Sequence, residues 1–128
     1  MTQVSAAASQ DGGTLYSYIN DGNAASPSFT RSVVASGDVS GVLQVRSGDF
    51  NDDAWPDLAV VCPNAGQVRL FLNEAGNGNW TDVLVGQVDG PVALGLADLD
   101  GDGNLDIFSV QVRHPNNLRD GATSVFLA

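Results

Sequence analysis

Residues 97–110 read ADLDGDGNLDIFSV, and residues 48–61 read GDFNDDAWPDLAVV. Each is an acidic loop that runs directly into a short apolar strand. In the later stretch Asp98, Asp100, Asp102 and Asp106 stand at positions 1, 3, 5 and 9, with Gly103 at position 6. The earlier stretch sets Asp49, Asn51, Asp53 and Asp57 in the same places, with Ala54 at position 6 and Trp55 at position 7. The loops start 49 residues apart (98 − 49), and so patterned a segment returning at an interval points to a repeat.

Working outward, the flanks repeat too. GTLYSYINDGN at 13–23 aligns with GQVRLFLNEAG at 66–76, and GATSVFLA at 121–128 begins a third copy, which makes Tyr18, Phe71 and Phe126 equivalent. FTRSVV at 29–34 matches WTDVLV at 80–85. A period of about 50 with four short strand signals per unit predicts an all-β fold of propeller blades, four-stranded antiparallel sheets whose apolar faces are buried against neighbouring sheets. Inner strands are expected at 43–48 and 91–97, second strands at 2–8, 57–61 and 106–112, third strands within the aligned copies, and outer strands from Phe29 and Trp80. Ala93, Gly95 and Ala97 are read as small because an inner strand is crowded near the axis. In the third strand Val68, Leu70 and Leu72 share one face, Arg69 and Phe71 the other, and Tyr18 and Phe71 are expected to pack between blades. A β-sandwich of ten short strands is the competing architecture, disfavoured because sandwich strands follow no fixed sequence period.

The chain is read as one partial propeller domain over residues 1–128, with repeat copies at about 1–41, 42–90 and 91–128. Its acidic residues are fourteen Asp and one Glu, its basic residues five Arg and no Lys, for a formal net charge of −10. Such a chain lacks the basic patch that a nucleic acid or an anionic membrane surface requires, so cations are the natural ligands. No apolar run approaches the roughly 20 residues of a membrane span. A lone cysteine, Cys62, permits neither an internal disulfide nor a cysteine zinc site. MTQVSAAASQ at the start has no basic segment and is not a signal peptide as it stands.

The 1-3-5-9 carboxylate spacing fits a hard cation. Ca²⁺ takes about six to eight oxygens at about 2.3–2.6 Å, and alternate residues of a tight loop aim theirs at one centre. Asp98, Asp100, Asp102 and Asp106 supply side chains, and Asn104 at position 7 its carbonyl. Asp49, Asn51, Asp53 and Asp57, with the Trp55 carbonyl, form the second and weaker candidate site, because Ala54 replaces a turn glycine and Asn51 removes a charge. An EF-hand would need an acidic residue at position 12, which is Ser109, and its flanks would be helical.

These two stretches resemble the FG-GAP/VCBS repeats of integrin α-type β-propellers, a class that includes lectins and surface proteins. The resemblance runs from about residue 13 onward. It implies a Ca²⁺ ion between the first and second strands of a blade, ligands on the propeller face or between blades, and an extracellular or cell-surface setting. The function expected is a calcium-stabilised recognition or adhesion module that binds carbohydrate, with a structural or protein-adhesion propeller as the alternative. Trp55 is the candidate ligand-binding aromatic, able to stack on a sugar ring, unless it packs against the next blade. No enzyme is expected: His114 is the only histidine and sits in a loop, and Cys62 reads as a small buried side chain. With a repeat near 50 the chain holds about 2.5 blades, whereas closed propellers have typically about four to eight. A homo-oligomer, a dimer or trimer that completes the ring, is therefore expected, with a glycan or a surface protein as its partner.

Overall fold

A computed structural model describes residues 4–8, 13–37, 39, 41–111 and 123–126. Ten strands follow in chain order: β1 (Val4–Ala8), β2 (Thr14–Asn20), β3 (Phe29–Ser36), β4 (Gln44–Gly48), β5 (Asp57–Cys62), β6 (Gln67–Asn73), β7 (Trp80–Gln87), β8 (Pro91–Ala97), β9 (Asp106–Gln111) and β10 (Thr123–Phe126). They form three antiparallel meanders, β1-β2-β3, β4-β5-β6-β7 and β8-β9-β10. The middle meander is one whole blade. The flanking ones hold its strands two to four and one to three. His114 and residues 1–3 lie outside the described residues.

Strand β5 explains why the sheets stack. Every residue from Asp57 to Cys62 is buried, so this strand has no solvent face. Its alternate side chains divide between two cores. Leu58, Val60 and Cys62 join Leu15, Val39, Val42 and Phe71 against the first sheet. Ala59 and Val61 join Val68, Val88, Leu94 and Ile107 against the third. A strand covered on both faces reads as an unbroken apolar run, which LAVVC is. Each fully buried aliphatic or Phe side chain contributes about 1.5–3 kcal/mol relative to exposure.

Near the inner edge the sheets are tied by hydrogen bonding as well. The Gln44 side-chain carbonyl on β4 accepts the Leu94 N–H of β8 at 2.6 Å, so the two inner strands are joined through a side chain. Gly95 is small for a reason other than axial crowding: a Cβ there would stand 2.2 Å from Cζ of Phe108, its cross-strand partner in the same sheet. The ring lies across the glycine. Gly48, at the end of β4, is covered in the same way by Leu105 of the neighbouring acidic loop.

Phe71 lies between the first two sheets as expected and is 1% exposed. Tyr18 does not. On β2 it is Leu15 and Ser17 that are buried, and alternation turns Tyr16 and Tyr18 to the face away from the middle sheet. There Arg31 stacks on Tyr16, 5.0 Å from the ring centre. Phe71→Ala is expected to destabilise the fold by about 3–5 kcal/mol through the cavity it leaves, read as a lower denaturation midpoint in urea. A loss under about 1 kcal/mol would mean that these sheets do not share that core.

Candidate metal centre

The β8–β9 loop is shaped by its own carboxylates. Asp98 accepts the N–H groups of Gly101 and Asp102 on Oδ1, at 2.8 and 3.2 Å, and that of Gly103 on Oδ2 at 2.9 Å. Gly101 and Gly103 take φ of +78° and +90°, which curl the chain around this carboxylate. Asp106, fully buried at the head of β9, accepts the Leu99 N–H on Oδ2 at 2.7 Å. Together these bonds bring one carboxylate oxygen each from Asp98, Asp100 and Asp106 within 4.8 Å of one another. Among the described residues no other three His, Cys, Asp or Glu side chains meet so closely.

Three like charges at that separation repel unless a cation or a proton intervenes. The Asp102 N–H donates to Asp100 and by itself would lower the Asp100 pKa. Desolvation, a shared hydrogen bond with Asp102 and the charges of Asp102 and Asp106 outweigh it, so this carboxyl sits above its usual range. Asp102 shifts the other way, held low by the backbone N–H of Asn104 at 2.9 Å and then by its side-chain amide at 3.1 Å. The donor set is all hard oxygen and negatively charged, which fits Ca²⁺ and excludes soft-metal chemistry. Asp98, Asp100 and Asp106 would hold the ion. Asp102 is not one of the three whose oxygens converge; its carboxyl meets that of Asp100 and is bonded to Asn104, the residue expected to lend its carbonyl.

The β4–β5 loop is built on the same plan. Asp49 accepts the N–H groups of Asp53 at 3.2 Å and Ala54 at 2.8 Å. Asp57, fully buried, accepts the Phe50 N–H, and its other oxygen takes the Asn73 N–H, each at 2.8 Å. Burial raises the Asp57 pKa, against the two backbone bonds that lower it, and the charges of Asp53 and Asp49 add to the rise. Asn51 stands where the other loop has Asp100, and its amide donates to Asp53 at 3.1 Å. Of the four side-chain positions, Asp49, Asp53 and Asp57 keep a carboxylate. Asp52 and Ala54 occupy the two left-handed positions, at φ +58° and +69°. Asp tolerates that region better than Ala, which has no side-chain group to compensate.

Trp55 does not pack on the next sheet. Its ring lies over Gly76 in the β6–β7 turn of its own sheet, where a Cβ would be 2.4 Å from Cζ3, and the residue is 40% exposed. Its N–H donates to Asp53 at 2.9 Å, as that of Asn104 does to Asp102. Asn73 is a structural member of the site that motif reading passes over. Its side chain donates to the Pro56 carbonyl at 3.2 Å and accepts the Gly76 N–H at 3.0 Å, joining the loop to the turn. The repeat alignment carries the signal, since Asn20 is the equivalent residue and caps its own turn by accepting the Gly22 N–H at 2.9 Å. Cys62 is buried in the first core, which pushes its thiol up to about 11.

Meandering sheets stacked face to face, with acidic loops between their first and second strands, define the blades of a β-propeller. The comparison with family models agrees: residues 49–109 match the FG-GAP-like repeat, a span that runs from the first acidic loop through the second and into β9. That segment is an FG-GAP-like repeat. No curated protein and no solved structure matches the chain significantly.

Two outcomes follow from this geometry. Ala54→Gly is expected to stabilise the protein by about 1 kcal/mol, and Gly103→Ala to cost about as much although no atom lies within 4 Å of the added Cβ. Urea melts of both variants check the pair, and a loss of stability in Ala54→Gly would contradict the strain assigned to that turn. In a thiol-reagent assay at pH 8, Cys62 should react at least about 100-fold more slowly in the folded protein than in urea, because so little thiolate is present.

Proposed function

We propose that this chain is a Ca²⁺-stiffened recognition or adhesion module that acts outside the cell by binding carbohydrate and carries out no catalysis. The observation that carries the calcium reading is the convergence of Asp98, Asp100 and Asp106 in a loop whose backbone wraps one of the three. An ion there neutralises the repulsion and locks two blade strands to their connection. The weaker, second ion belongs to the Asp49–Asp57 loop. Carbohydrate is favoured by Trp55, half-exposed beside that loop with a flat aromatic surface. The extracellular setting follows the usual home of FG-GAP repeats. A protein-adhesion propeller without a small ligand is the second reading, favoured by the Gly76 turn that already covers part of the Trp55 ring.

Assembly is part of the proposal. The two flanking sheets have three described strands each, and Tyr16, Tyr18 and Val110 lie on or beside faces that no described sheet covers. A second or third copy of the chain that supplies the missing strands would close a ring.

The calcium reading is tested by thermal melts in Ca²⁺ and in chelator. Ca²⁺ at about 100 times its Kd should add about 2.7 kcal/mol of stability and raise Tm by several degrees. Asp100→Asn should abolish most of that increment while changing Tm little in chelator. Equal melting of the wild type in both buffers would remove calcium from the account. Light scattering in Ca²⁺ should give a mass of two or three chains, and a stable monomer would remove the ring.

A further inference from the structure

The β6–β7 turn carries the only Asn-Gly pair in the sequence, Asn77-Gly78. Every other asparagine is followed by a residue whose side chain crowds the next peptide nitrogen. At Gly78 that nitrogen is open. The glycine takes φ +89°, no atom lies within 4 Å of where a Cβ would stand, and among the described residues its N–H has no hydrogen-bond partner.

The residues on either side are held in place. The Asn77 N–H donates to the Glu74 carbonyl at 3.1 Å, and the Glu74 N–H donates to the Asn79 carbonyl at 3.0 Å. Between these anchors the Asn79 N–H donates to Asn77 Oδ1 at 2.9 Å, an Asx turn that folds the exposed side-chain amide back over the Gly78 peptide. That bond has a second effect. A fixed N–H on Oδ1 stabilises negative charge that develops there.

We propose that Asn77 is a self-modifying residue, converted by intramolecular deamidation to an aspartyl or isoaspartyl residue. The Gly78 nitrogen gives its proton to water or hydroxide and attacks Asn77 Cγ, which forms a C–N bond and places negative charge on Oδ1, under the Asn79 N–H. Collapse of the adduct breaks the Cγ–Nδ2 bond; Nδ2 takes up a proton and leaves as ammonia, and a five-membered succinimide remains. Water then opens the ring. Opening at Cγ restores the ordinary peptide with an aspartyl side chain, and opening at the main-chain carbonyl leaves the chain running through Cγ in the isoaspartyl form. Water is the one co-reactant. Either product carries a carboxylate where the turn had a neutral amide. Position 77 borders a recess of about 290 Å³ that Asp53 and Glu74 also line. A third carboxylate there repels the other two and loosens the cap that joins this turn to the Asp49–Asp57 loop. The proposal depends on neither the calcium nor the carbohydrate reading.

Peptide mapping by mass spectrometry tests it, on wild-type protein held folded at pH 6 and pH 8 for several weeks with a parallel sample in urea. Asn77 should convert in the folded protein about as fast as in urea and faster at pH 8 than at pH 6, with both products present. Gly78→Ala should slow conversion at least about tenfold, because the added Cβ crowds the attacking nitrogen. Asn77→Gln, which would have to close a six-membered ring, should stay intact. An Asn77 that survives in the folded protein while it converts in urea would overturn the proposal, because the fold would then protect the turn. Conversion in neither sample, or conversion that Gly78→Ala does not slow, would overturn it as well. For the charge effect, Asn77→Asp should lower Tm by a few degrees at low salt, and the difference should shrink at about 1 M salt as the charges are screened. An unchanged Tm at low salt would overturn the repulsion assigned to the product.

Discussion

Two buried carboxylates, Asp57 at the head of β5 and Asp106 at the head of β9, are the constraint on which the rest of the molecule depends. A charged side chain without solvent survives only if backbone donors or a cation answer it. Asp57 finds the Phe50 N–H across its own loop and the Asn73 N–H at the end of β6. It thereby pins a loop, a central strand and a hairpin turn at one point. Asp106 repeats the loop half of that arrangement with Leu99. Because β5 is packed on both faces, its first residue cannot move toward water to escape the cost. The acidic loop must fold back over it.

The same constraint links the blades. Leu105, one residue before Asp106, covers Gly48 at the end of β4, one residue before Asp49. Order in one loop is thus passed to the start of the other by packing. Within the middle sheet, Trp55 lies on Gly76 and Asn73 holds Pro56, so the acidic loop and the β6–β7 turn form one cap. That turn also borders a groove between the first two sheets.

Much of this was legible in the residues because the repeat places equivalent side chains at a fixed interval. LAVV read as a short apolar strand, and the acidic loops read as cages by spacing alone. What spacing does not carry is conformation and partnership. Position 6 was suspect once Ala54 stood where Gly103 does, but the positive φ of Asp52 was hidden, because Asp is an ordinary loop residue until its backbone is seen. Asp102 fits the 1-3-5-9 pattern, but its carboxylate is engaged by the Asn104 amide and by Asp100 and is not among the three that converge, a partnership that spacing alone does not show. Tyr18 aligned with the buried Phe71, yet burial of an equivalent face depends on a sheet being packed against it. Gly95 is small because of Phe108 across the strand, a pairing that only register reveals.

The central claim is that the Asp98–Asp106 loop closes around a cation ahead of its partner loop. Residue-resolved NMR during a Ca²⁺ titration tests it most directly, through the backbone amides of Gly101 and Gly103 against those of Asp53 and Ala54. The account predicts that the Gly101 and Gly103 signals shift and saturate first, and that those of Asp53 and Ala54 follow at higher Ca²⁺. Amides of residues 98–106 that stay unmoved through millimolar Ca²⁺, in a folded protein, would contradict it.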